Sequence, residues 1–108
     1  MKITINDHRK IFAVQEEFSK FYPHMKIEFL NKPNKVGGSH PEKIVKETSK
    51  TLGDCRVIHT KGELTLLHSM TVGDLNQALN DTYGLSVVIH RKSGDQWIDA
   101  KENEELSL

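Results

Sequence analysis

Residues 2–22 and 63–83 carry the same apolar pattern at a constant offset of 61. Ile3 falls on Leu64, Ile5 on Leu66, Ile11 on Val72, Val14 on Leu75, Phe18 on Leu79 and Tyr22 on Tyr83. With one extra residue in the first turn, Met25, Ile27 and Phe29 then fall on Leu85, Val87 and Ile89. Within each unit the spacing changes from two, to three and four, and back to two. That is the signature of a strand, an amphipathic helix and a second strand. Two β-α-β units of matched length leave few folds open, because each crossover is right-handed and each helix must cover its own strands.

The strands alternate: Lys26 and Glu28 separate Met25, Ile27 and Phe29, while Ser86, Val88 and His90 separate Leu85, Val87 and Ile89. A sheet covered on both sides would be apolar on both faces. One sheet face therefore meets water, which suits a chain that is 36% hydrophobic and 28% charged. The expected architecture is an α+β two-layer sandwich, a ferredoxin-like β-α-β repeat with both helices on one face. Strands are expected at 2–5, 25–30, 63–67, 85–91 and 96–99, helices at 8–22 and 72–83, and a strand order of roughly 2-3-1-4-5. The rival is a ubiquitin-like β-grasp, for which the strand–helix–strand–strand run after Gly62 speaks. The N-terminal strand–helix–strand speaks against it.

Local signals fix the element ends. Asp7 is expected to cap the first helix. Pro23 ends it, since proline has no N–H to donate. Thr51 with Asp54, and Thr71 with Asp74, have capping-box spacing. Gly84 fits the left-handed position after the second helix, and Gly94 the left-handed position of the hairpin loop Lys92–Asp95. The chain is expected to form one domain over 1–108. It would carry a loop-rich basic connector at 31–61, with a short helix near 52–57, and a frayed acidic tail at 100–108.

The stretches TVGDL and GLSVVIHRKSGDQW, with KTLGD before them, resemble a group of small bacterial proteins that share TVGEL, then GLSV, then RKSG and Trp. The resemblance covers the second half of the chain by motif and the first half by layout. It implies a shared fold and brings no activity, cofactor or site residue with it.

The lone Cys55 excludes an internal disulfide, and no apolar run reads as a signal peptide or membrane span. A cytoplasmic protein with no membrane contact is the expectation. Cys55 and His59 stand four apart, which on a helix puts them on one face. A second ligand pair is missing, and Asp54 beside the thiol opposes thiolate formation. No metal, cofactor or catalytic set is therefore expected, and the chain is read as a non-enzyme. Val36-Gly-Gly-Ser-His40 lacks P-loop spacing and reads as a connector.

Charge separates along the chain. Residues 1–61 hold 12 Lys and Arg against 7 Asp and Glu, and residues 62–108 hold 3 against 8. Two binding readings follow. In the first, an unidentified protein partner or a second copy docks on the sheet face or edge through Leu30, Leu67, Val88, His90, Arg91, Lys92 and Trp97. In the second, the basic segment 32–61, with Lys43, Lys46, Lys50 and Arg56, and the hairpin at 91–92 bind nucleic acid or phosphate. The expected open face offers no aromatic ring for base stacking other than the imidazole of His90, and Trp97 is assigned to core or edge packing. The protein-interaction reading is accordingly the first choice.

Overall fold

The structure, a computed structural model, describes residues 1–31 and 43–107. Strand β1 (Lys2–Ile5) leads into helix α1 (Ile11–Phe21) and strand β2 (Met25–Phe29). After a connector with a 3-10 turn at Leu52–Cys55 come β3 (Gly62–Thr65), α2 (Val72–Tyr83), β4 (Val87–Ser93) and β5 (Gln96–Asp99). The result is a small α+β domain in which antiparallel sheets pack against helices, as the periodicity requires.

The strand order differs from the one expected. β1 pairs with β3, and β4 with β5, but β2 pairs with β4 and not with β3. The sheets are thus β1-β3 and β2-β4-β5. Each ladder joins equivalent strands of the two units. Ile3 lies opposite Leu64, and Glu28 opposite Val88, which are the positions the repeat aligns. The register within each ladder is therefore symmetric with respect to the repeat. The connector explains why β3 does not add to β2. Asn31 N–H donates to the Lys43 carbonyl and Val45 N–H to the Phe29 carbonyl, so the segment after Lys43 lies along the β2 edge. It then passes the start of α1, where Ile11 and Phe12 donate to the carbonyls of Lys50 and Thr48. A backbone edge with its partners supplied has none to offer a further strand. Because β1 runs into α1 and pairs with β3, the chain does not open on a β-grasp hairpin.

The core comprises the aligned residues of both units. Ile3, Ile5, Ile11, Val14, Phe18, Tyr22, Met25, Ile27 and Phe29 meet Leu64, Leu66, Val72, Leu75, Leu79, Tyr83, Leu85 and Ile89, and all are buried. Val45 and Leu52 of the connector join them. The Tyr22 hydroxyl donates to the Leu67 carbonyl at 2.7 Å, and burial pushes the phenol up to about 12.

Two local expectations, the cap of α1 and the state of the tail, change, and the short capped helix near 52–57 is present. α1 starts at Ile11 after Lys10, with no side-chain cap, so Asp7 is not its cap. The 3-10 turn is one turn long, with the Asp54 carboxylate accepting from Thr51 N–H. The tail is tied down and not frayed. Val72 and Gly73 donate to the carbonyls of Glu104 and Glu102, Leu106 donates to Met70, and the Leu106 side chain is buried. Those amides belong to the first turn of α2, which has no intrahelical acceptors for them, so the tail completes the helix. At the other end of α2, Gly84 has φ 63°, as its position demands.

Candidate interaction face

β2, β4 and β5 turn one face inward and one to solvent. Met25, Ile27, Phe29 and Ile89 point in. Register places Lys26 beside His90, Glu28 beside Val88, His90 beside Asp99, and Lys92 beside Trp97 on the opposite, open face. Alternation thus gathers seven residues from three strands.

His90 is the centre of the polar part. Its Nε2 lies 3.3 Å from Glu28 Oε2 and its Nδ1 lies 3.1 Å from Asp99 Oδ1. The ring is only 14% exposed, whereas the Asp99 side chain is 82% exposed. An imidazolium donates to both carboxylates, and a neutral ring to one. Both ring nitrogens thus face carboxylate oxygens. Lys26 Nζ lies 3.7 Å from Glu28 Oε1.

Trp97 is the centre of the apolar part. Lys26 Nζ stands 5.1 Å and Lys92 Nζ 5.9 Å from its ring centroid, within cation–π range. The residue is 40% exposed, so its indole is a surface platform and not the core or edge packing that its apolar character suggested. The open face therefore does carry an aromatic ring. The missed signal was register: Trp97 is two residues from Asp99, and both share the face of His90.

The other expected interaction residues are dispersed. Arg91 is on the inner side and pairs with Glu104 at 3.1 Å, so it does not share the face of Lys92. Leu67 lies beyond β3 at the other sheet and is 53% exposed. Leu30 bridges to Ile44 and lines a polar groove of about 550 Å³ with Asn76, Gln77, Asn80 and Glu102. No strand pairing brings Leu30, Leu67 and Val88 into one patch among the described residues.

The anion-binding set also separates. Lys43, Lys46 and Lys50 are exposed along one segment, which also holds Glu47, 3.9 Å from Lys50. Arg56 is buried, at 1% exposure, and unavailable to an anion. Its Nε and Nη2 bond Asp7 Oδ1 at 3.1 and 3.0 Å, and its Nη1 bonds the carbonyls of Thr60 and Tyr83 at 2.8 and 2.9 Å. A buried guanidinium needs such a full set of acceptors. His59 Nδ1 lies 2.8 Å from the second Asp7 oxygen. The His59 bond first, and Arg56 after it, hold the Asp7 carboxyl below its ordinary value against the opposing effect of burial. Sequence spacing gave no hint of this cluster, whose members come from distant turns. Cys55 is buried beside the Thr51 carbonyl. The glycine stretch 36–40 and Lys32 and Lys35 lie outside the described residues.

Among the described residues, no helix is long and apolar enough to cross a membrane, and no group of three or more His, Cys, Asp or Glu is arranged to hold a metal ion. No family model, curated protein or solved structure matches the chain.

Proposed function

We propose that the chain is a non-enzymatic protein-interaction module whose binding surface is the open face and outer edge of the β2-β4-β5 sheet. One observation carries this. Trp97, the chain's single tryptophan, stands on an edge strand with two lysine ammonium groups over its ring and contributes nothing to the core. Large exposed aromatics with charged neighbours are the residues that dominate protein interfaces when a partner excludes water from them. His90, between Glu28 and Asp99, gives the rest of the face a polar pattern.

A photo-crosslinking amino acid placed at position 97, in the cells that express the protein, tests this. A discrete polypeptide adduct is expected from position 97. None is expected from position 16, an exposed site on α1, and the adduct should be lost when Lys92→Glu is added. Absence of any polypeptide adduct from positions 88, 92 and 97 would refute the reading.

Nucleic-acid binding is the second reading, and the surface position of Trp97 beside Lys26 and Lys92 favours it, since aromatic rings near cations stack bases. Glu28 and Asp99 on the same face oppose a polyanion. A gel-shift titration with single-stranded oligonucleotides at low salt decides, because phosphate-driven binding is strongest there. No shift under those conditions eliminates it.

A further inference from the structure

The two outer edges of the β2-β4-β5 sheet are not alike. On β2, Gln15 Nε2 donates to the Ile27 carbonyl and Val45 N–H to the Phe29 carbonyl, so that edge is occupied. On β5, no backbone group outside β4 bonds to Trp97 or Asp99 among the described residues. The direction of the unused groups follows from the register. Ala100 N–H donates to the Ile89 carbonyl, so the pairs 89–100, 91–98 and 93–96 exchange hydrogen bonds, and 90–99 and 92–97 do not. The N–H and C=O of Trp97 and Asp99 therefore point outward. β5 also lacks two of the usual protections of an edge. It has neither lysine nor proline, and Trp97 and Ile98 are exposed on its opposite faces.

We propose that the occupant of this edge is the β5 strand of a second copy, paired antiparallel about a two-fold axis at Ile98. This rests on the interaction reading above and names its partner. Antiparallel pairing must match outward-pointing residues with each other. The register with residue 98 on the axis does so with both available positions: Trp97 faces Asp99 of the second copy, and Asp99 faces its Trp97. Each such pair exchanges both its N–H···O bonds. Charge agrees with this register. Lys92 is the cross-strand neighbour of Trp97, and Lys26 lies over the same ring, so the carboxylate of the incoming Asp99 arrives beside two cations. On the other face Ile98 meets Ile98 at the non-hydrogen-bonded position, where side chains approach most closely. The alternatives centred on residue 97 or 99 set Trp97 against itself or one carboxylate against its copy.

The register is tested by cysteine. The Cα atoms of two residues at position 98 would stand about 4.5 Å apart, within disulfide reach. Two residues at position 96 would be separated by four strand residues, about 13 Å. With Cys55 left in place, Ile98→Cys should form a disulfide-linked dimer at least about tenfold faster than Gln96→Cys, as a held register raises the effective concentration of one pair only. Equal rates overturn the proposed register. For the unmodified chain, sedimentation equilibrium from about 10 μM to about 1 mM, the range suited to a small interface, should show the mass rising from one chain toward two. Ile98→Lys, with circular dichroism confirming its fold, should stay at one chain. An unmodified chain that remains a single chain throughout overturns the proposal. If position 97 nevertheless crosslinks to a different polypeptide, the second copy was the wrong occupant and the interaction reading stands. If none of positions 88, 92 and 97 crosslinks to any polypeptide, both fall.

Discussion

Replacing Arg56 by Met tests whether the buried guanidinium joins the turn before α1, the 56–61 loop and the end of α2. Methionine keeps most of the apolar stem and removes every donor. The Tyr83 carbonyl, bonded at 2.9 Å in a buried position, then loses its side-chain partner, at a cost of about 1–3 kcal/mol. The Thr60 carbonyl belongs to an exposed residue and can recruit water, so its loss is set at about 0.5 kcal/mol. Removing the buried charge relieves a desolvation penalty and offsets part of the lost pair with half-exposed Asp7. The net is about 2–3 kcal/mol, or a fall in Tm of about 10–20 °C for a domain of this size. Urea unfolding followed by circular dichroism measures it, with an unchanged m-value required for the comparison to hold. Arg56→Lys should lose a similar amount, because one ammonium cannot span a carboxylate and two carbonyls in Arg56's fork geometry. A Met variant within about 0.5 kcal/mol of the wild type, the range of ordinary surface changes, would refute the assignment of the cluster as a structural clamp.

Three further outcomes are expected. Gly84→Ala should cost about 1–2 kcal/mol by urea unfolding: φ is 63°, and the new Cβ would overlap Ile58 Cγ1, though half-exposed Ile58 can move aside. Leu106→Ala should cost about 2–4 kcal/mol, because the side chain is buried; a neutral result would mean that the tail is frayed after all. Asp7→Asn should show a pH-dependent difference from the wild type. The folded carboxyl titrates below its ordinary value, so its contribution is present above the unfolded pKa and is lost as pH falls through the folded one. The difference in urea midpoint should be steady near about pH 5 and shrink toward about pH 2. A difference that grows with acid contradicts the ion cluster.

The elements follow from local patterns along the chain, because each depends on neighbours a few residues away. Period-two and period-three-to-four spacing placed β1, α1, β2, α2 and the core residues, since side-chain direction follows from backbone geometry alone. Thr71, Asp74 and Gly84 set the ends of α2 where they were read, as caps act within a few residues. Where local pattern misleads, the cause is a partner far along the chain. Asp7 has the position of a helix cap, yet its carboxylate is the partner of Arg56, 49 residues away. Arg56 has the sequence context of a surface cation, because nothing adjacent to it marks its burial. The β2–β4 pairing depended on where the connector came to lie, and a long loop's path has no periodic signal. Trp97, Lys26, His90 and Asp99 were legible one by one. Their assembly into one face required the cross-strand register of three strands, which is a property of the folded sheet.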